Sequence, residues 1–174
     1  IVGSGPIGLA ALMTAQLYSP GRIIMIDLDD NRLEVAKKFG ATDTVNSADG
    51  KAVEKVKALT SGLGVDTAIE AVGVPATFEL CQDLVAPGGV IANIGVHGKK
   101  VELHLERLWA HNISITTRLV DTATTPMLLK SVVAKKIDPT RLITHRFRLD
   151  QILEAYDTFG RAAATKALKV IISA

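Results

Sequence analysis

The chain opens on a short apolar pair, Ile1-Val2, which breaks at once into Gly3-Ser4-Gly5-Pro6-Ile7-Gly8 and then into an apolar helical stretch reaching about Tyr18. Downstream, short apolar runs alternate with stretches patterned at helical spacing. Arg22-Ile23-Ile24-Met25-Ile26-Asp27 reads as a buried second strand that ends in an acid. Asp29 or Asp30 can cap the next helix, where Leu33, Ala36 and Phe39 share a face before Gly40 ends it. Residues 42–45 fit a short third strand, and Ser47 can cap a helix that turns Val53, Val56 and Leu59 inward. Lys51, Glu54, Lys55 and Lys57 fall on the outer face of that helix.

Residues 65–73 predict a fourth strand, and Pro75 opens a helix that points Phe78, Cys81 and Val85 at the sheet. Ala86-Pro87-Gly88-Gly89 reads as a turn before a fifth strand at 90–94 that closes on Gly95. Residues 101–105 alternate with period two, which predicts a strand at an exposed margin, and 112–117 predict the sixth core strand. Strands alternating with helices of this length predict an α/β fold with a doubly wound, parallel, six-stranded Rossmann sheet. Past about Leu119 the rhythm changes to a helix at 125–136, a strand at 142–147, a helix at 150–160 and a strand at 167–172. The chain thus divides into a sheet-forming region at 1–118, which opens on the glycine-rich turn, and a C-terminal segment at 119–174.

The opening glycines carry distinct physical duties. Gly3 permits a tight turn out of the strand, Gly5 removes the side chain that would keep a pyrophosphate off the main chain, and Gly8 allows close packing of helix on sheet. Pro6 suits the first helical position, where its absent N–H costs nothing, so Ile7 and Gly8 are the expected phosphate donors. Asp27 lies 19 residues after Gly8, the offset at which a second strand delivers a carboxylate to an adenosine ribose. Ligands in such sheets lie beyond the carboxyl ends of the strands, where Gly3 to Gly8, Asp27, Val72-Gly73 and Gly95-Val96 all fall.

Composition narrows the classes. With 174 residues and 48% hydrophobic content the chain can bury a substantial core. Twenty basic residues against 18 acidic ones give a net charge of +2, the basic pairs are scattered, and aromatics reach only 4%, so nucleic acid is not an expected partner. One cysteine, Cys81, excludes an internal disulfide and a cysteine-rich zinc site. No apolar run approaches a membrane span and no secretory signal opens the sequence, so the cytoplasm is the expected compartment. Ile1 falls inside a strand pattern, so the reading expects a fragment or further residues upstream.

With these segments in place, the sequence resembles the cofactor-binding half of the medium-chain, zinc-dependent alcohol dehydrogenases. The resemblance rests on Gly3-Ser4-Gly5-Pro6-Ile7-Gly8, Asp27 with Arg32, Val65-Asp66 through Glu70 to Gly73, and Pro87-Gly88-Gly89 through Ile94-Gly95. It continues through Leu142-Ile143-Thr144-His145 to Lys169. It implies that Asp27 holds the adenosine ribose hydroxyls with Arg32 alongside, and that Ile7 packs beneath the nicotinamide. Backbone groups near Ile94, Val96 and the 117–119 turn would hold the carboxamide, and Lys169 would face the pyrophosphate. The acid at Asp27, with no arginine immediately after it, favours NAD over NADP.

The same resemblance implies an alcohol substrate and a homo-oligomer. It implies zinc in the intact parent enzyme only, because the family's zinc-bearing catalytic domain has no counterpart in this sequence. Residues past Leu119 would return to complete that domain. No catalytic residue and no metal ligand is expected in this chain, which would bind the cofactor alone.

His97, His104, His111 and His145 share no ligand spacing, and His97 alone lies near the crevice. Cys81 reads as a small core residue. Glu70 is either a polar contact beside the crevice or a plain strand-end acid, and Trp109 belongs to a core or to an interface. Two rival functions share parts of the pattern. An S-adenosylmethionine-dependent methyltransferase also uses a glycine-rich first turn and a strand-end acid, but Gly8 and the parallel sixth strand argue against it. A non-catalytic NAD-responsive regulator or interaction module should show a DNA-reading basic helix with polar tips, and none is visible.

Overall fold

The computed structural model describes residues 1–120 and 122–174. The chain divides into two compact units, Ile1–Ala123 and Thr124–Ala174. In the first, Pro6–Ala15 (α1) leads through Ile24–Asp27 (β1), Asp30–Lys38 (α2), Asp43–Asn46 (β2) and Ala52–Leu59 (α3) to Val65–Glu70 (β3). Pro75–Leu84 (α4), Val85–Asn93 (β4), Leu105–Leu108 (α5) and Ser114–Thr117 (β5) follow. All strand pairs are parallel: β1 with β2, β3 with β4 and β4 with β5.

The expected first strand is reduced to a bridge. Val2 pairs in parallel with Ile26 on one side and with Glu70 on the other, joining the two halves of the sheet through a single residue. Among the described residues of the first unit, five strands and that bridge stand where six full strands were expected. Val2 N–H donates to Ile69 O at 2.8 Å, and Gly3 N–H donates to Ile26 O at 2.8 Å. The backbone pairing therefore runs directly into the glycine turn.

Both faces of the sheet are covered, which explains why β1 is apolar at the consecutive positions Ile24, Met25 and Ile26 rather than at alternate ones. Ile24 and Ile26 join a buried cluster with Val45, Val56, Phe78, Cys81 and Ile91. Met25, pointing the other way, is also fully buried. Asp29 caps α2 by accepting from Asn31 N at 2.8 Å, and Gly40 follows the helix at φ +106°.

Several expected boundaries move, each for a visible reason. Ser47 does not cap α3. Its N–H donates to Asp27 O at 3.0 Å, and the helix starts five residues later. Residues 86–89 do not end the ladder, because Val85 pairs with Val65 and Val90 with Thr67. The segment bulges inside β4, with Gly88 at φ +78°. Residues 101–105 form no strand. Their backbone is held by a buried side chain instead: Gln82 Nε2 donates to Glu102 O at 2.9 Å, and His104 N–H donates to Gln82 Oε1 at 2.9 Å. Asn112 adopts φ +53°, so β5 begins at Ser114. Trp109 is 76% exposed and does not belong to the core.

The second unit contains Thr125–Val133 (α6), Ile143–Arg148 (β6), Ile152–Gly160 (α7), Ala162–Thr165 (α8) and Lys169–Ser173 (β7). Helix α6 ends before the expected Lys136, and Lys135 takes φ +56°. β6 and β7 pair in parallel with α7 as their crossover. Ala155, Leu142, Ala167 and Leu168 are buried, whereas Tyr156 and Phe159 are exposed. No helix among the described residues is long and apolar enough to cross a membrane.

Cys81 is fully buried in the first unit, where burial, with a smaller push from Glu70, raises its thiol from 9.0 to about 12. A raised pKa means that the folded state holds the neutral thiol, a contribution fully present below pH 9 and lost as pH climbs toward 12. Iodoacetamide at about pH 8 is therefore expected to label Cys81 only once urea unfolds the chain. The Cys81→Ala variant should lose stability less steeply than the parent between pH 9 and 12, measured by urea unfolding. Rapid labelling of the native chain would contradict this account.

Candidate functional site

Four segments meet at the carboxyl ends of the parallel strands, and the packing shows how tightly. Gly3 sits at φ +101°, a left-handed conformation that favours glycine, and a Cβ there would stand 2.6 Å from Val72 Cγ2. A Cβ on Gly8 would overlap the Gly3 carbonyl oxygen, so the start of α1 rests directly on the turn that precedes it. Gly73, at φ +90°, would overlap Val96 O, and Gly95 would overlap Glu70 Oε2 and Gly73 N. Gly3, Val72-Gly73 and Gly95-Val96 are thus brought into mutual contact. Gly5 differs from all of these, because a Cβ there would have no atom within 4 Å. Its outer side is open.

Asp27, at the end of β1, is tied to that turn. Its Oδ2 accepts from Ser4 N at 2.7 Å and its Oδ1 accepts from Asp29 N at 3.0 Å. The carboxylate is half-buried, so lone pairs remain available toward solvent. Arg32 stands, half-buried, in the early part of α2. Pro6 occupies the first turn of α1 and Gly5 its N-cap, with no side chain closing the helix end. Helical geometry leaves the Ile7 and Gly8 amides without partners inside the helix. The fold thus turns two backbone donors and the positive end of a helix dipole toward the open side of Gly5.

Around this opening stand apolar side chains that a folded core would ordinarily cover. Ile7 is 49% exposed, Val72 46% and Val96 81%, while Ile94 is half-buried behind them. Lys169 is the first residue of β7 in the second unit, and it is exposed.

A polar network, unmarked by any sequence spacing, lies behind the apolar rim. Glu70 is fully buried, and its Oε1 accepts from Val72 N at 2.9 Å, Gly73 N at 2.8 Å and Thr77 Oγ1 at 2.6 Å. Its main-chain oxygen accepts from Ile94 N at 2.9 Å and Gly95 N at 3.1 Å. Asn93 Nδ2 donates to Gly95 O at 3.1 Å, which turns Asn93 Oδ1 toward His97 Nε2 at 2.7 Å. That nitrogen therefore carries the ring hydrogen. Nε2 also lies 3.3 Å from Glu70 Oε2, but its hydrogen bond goes to Asn93, leaving Oε2 with an electrostatic neighbour only. Of the two readings open for Glu70, the polar contact beside the crevice is the one observed. Asn93, Thr77 and the Ser4 amide had no signal in the sequence, because each is recruited by the fold rather than by its neighbours in the chain.

The arrangement fits an elongated anionic ligand with an apolar ring. It offers helix-end amides beside an uncluttered glycine, a carboxylate suited to paired hydroxyls, and an exposed apolar rim. Among the described residues, no group of three or more His, Cys, Asp or Glu could hold a metal ion.

Comparison with known families matches residues 6–134 to the zinc-binding dehydrogenases. The chain belongs to that family. The cofactor-binding half of the medium-chain, zinc-dependent alcohol dehydrogenases is the part to which it corresponds. An alcohol dehydrogenase of Cupriavidus necator is 36% identical over 167 residues, covering 92% of this chain and 45% of that protein. An NADP-dependent isopropanol dehydrogenase of Thermoanaerobacter brockii is 38% identical over 164 residues, covering 90% and 46%. Among solved structures, the apo form of zinc-dependent alcohol dehydrogenase 2 from Streptococcus pneumonia is 57% identical with a TM-score of 0.96. That match covers 99% of this chain and 50% of the other. The chain spans about half the length of the zinc-binding dehydrogenase relatives it matches. Neither the methyltransferase nor the regulatory alternative gains support from these matches.

The glycine packing separates two kinds of substitution. Gly8→Ala and Gly73→Ala force a methyl group into backbone and should each destabilise the fold by about 1–3 kcal/mol in urea unfolding. Gly5→Ala meets open space and should cost less than about 1 kcal/mol, the scale of a weaker helix cap. Equal losses for all three would mean that the openness of Gly5 is not specific.

Proposed function

We propose that this chain binds NAD across the crevice, as the cofactor-binding half of an alcohol dehydrogenase that passes hydride between an alcohol and the nicotinamide. The observation that carries the reading is the 2.7 Å hydrogen bond from Ser4 N to Asp27 Oδ2. It holds the Asp27 carboxylate beside the glycine turn, which supports reading the two as the ribose and pyrophosphate contacts of one dinucleotide. Ile7 and Gly8 amides would hold the pyrophosphate against Gly5, and Asp27 would accept from the ribose hydroxyls with Arg32 alongside. Ile7, Val72 and Val96 would cover the nicotinamide, with backbone groups of Ile94, Gly95 and Val96 near its carboxamide.

Bound, the dinucleotide supplies hydride acceptance; the residues of this chain orient it and exclude water from one face. An alcohol substrate, catalytic zinc in the whole enzyme and self-association along the β5 margin belong to the same proposal. The alcohol dehydrogenase relatives support the first two. The exposed β5 strand supports the third.

NAD is favoured over NADP because the Asp27 carboxylate stands where a 2′-phosphate would bring further negative charge. Fluorescence titration should show saturable binding of NADH, weaker binding of NADPH and no saturation by S-adenosylmethionine. Asp27→Gly is expected to weaken NADH binding by about 10-fold to 100-fold, the range for a lost charge-assisted hydrogen bond, and to narrow the gap to NADPH. Gly5→Ala should weaken NADH at nearly unchanged stability. Saturation by S-adenosylmethionine alone would replace this reading with the methyltransferase one.

A further inference from the structure

We propose that Glu70 is a positioning residue that sets the nicotinamide half of the site, an inference that rests on the dinucleotide reading above. Glu70 closes β3, and two turns converge on it from different directions. Through its main-chain oxygen it holds Ile94 N and Gly95 N, at the exit of β4. Through Oε1 it holds Val72 N and Gly73 N, in the turn between β3 and α4, together with Thr77 Oγ1 on α4. One residue therefore fixes both backbone segments that carry Val72 and Val96. Those two exposed apolar side chains form part of the rim.

The chemistry requires an acid rather than any polar residue. Every partner of Oε1 is a donor, so that oxygen acts as acceptor alone. Oε2 faces His97 Nε2, whose hydrogen bond to Asn93 makes it a donor too, and it packs against the Gly95 backbone. A glutamine fails in either orientation of its amide. With its NH2 at the Oε1 position it opposes the Val72 and Gly73 amides, and at the Oε2 position it presses hydrogens toward Gly95 and His97. Both positions are fully buried, so water cannot relieve the mismatch. Glu70 does not face the crevice as a free carboxylate. It acts through the turns and is not a catalytic residue.

The adenosine half is built differently, from Gly5, the α1 amides and Asp27. A ligand lacking nicotinamide therefore discriminates between the two halves. The 174-residue chain and its Glu70→Gln and Thr77→Val variants would be titrated with NADH and with ADP-ribose, with circular dichroism confirming the fold of each. The expected result is a loss of about tenfold in NADH affinity for Glu70→Gln, a smaller loss for Thr77→Val, and ADP-ribose affinity within about twofold of the parent for both. Parallel loss of both ligands would mean a general structural role, and unchanged NADH affinity would mean no role at all; either overturns the proposal. If Glu70→Gln does not fold, Thr77→Val decides: selective loss of NADH supports positioning, and unchanged binding overturns it. A parent chain that binds neither ligand removes the dinucleotide reading, and this inference with it.

Discussion

Close approach of backbone to backbone at the carboxyl ends of the strands is the constraint on which this structure depends. The Gly3 carbonyl lies where a Gly8 side chain would be, and the Val96 carbonyl where a Gly73 side chain would be. Such approach is possible only without Cβ atoms, and it draws three turns into one wall. The sheet prepares that convergence, since parallel strands deliver all their carboxyl ends to the same side. Val2 sits between the two halves, so the glycine turn leaves the sheet at its centre.

Two strand-end acids use this geometry in opposite ways. Asp27 and Glu70 both accept hydrogen bonds from backbone amides of a neighbouring turn. Asp27 is half-exposed and receives one amide at each oxygen, which leaves acceptor capacity facing outward. Glu70 is fully buried, and all of its side-chain hydrogen bonding goes to the turn after β3 and to Thr77. Burying a polar group is costly unless it is satisfied, and the three donors at Oε1 offset that cost. The difference in exposure leaves one acid open to solvent and ties the other into the scaffold.

Much of this was legible in the sequence, where local chemistry and tertiary structure agree. The helix faces of Leu33, Ala36 and Phe39, and of Phe78 and Cys81, are buried as their spacing predicts. The parallel α/β architecture followed from alternating elements. What could not be read depended on distant partners. Period-two alternation at 101–105 suggested a strand, yet Gln82, some twenty residues earlier, satisfies that backbone in its place. Ser47 has the right chemistry for a helix cap, but its amide is engaged at the end of β1. The turn signal at Pro87-Gly88-Gly89 was real, though it marks a bulge within β4 and not a boundary. The role of Thr77 depends on a carboxylate that only the folded sheet places beside it, and that of Asn93 on the Gly95 carbonyl and the His97 ring.

On the proposed reading, cofactor choice follows from how firmly Asp27 is held. An acid on a flexible loop could swing aside and admit a phosphate at modest cost. Here Ser4 N fixes one oxygen and Asp29 N the other, and Ser4 belongs to the turn that would hold the pyrophosphate. Moving the carboxylate would unmake a hydrogen bond within that turn, and leaving it in place sets two anions against each other in a partly desolvated crevice. Preference for NAD is then a consequence of the coupling between acid and turn, not of the acid alone. The cost of accepting NADP would fall on the pyrophosphate contacts as well as on the ribose.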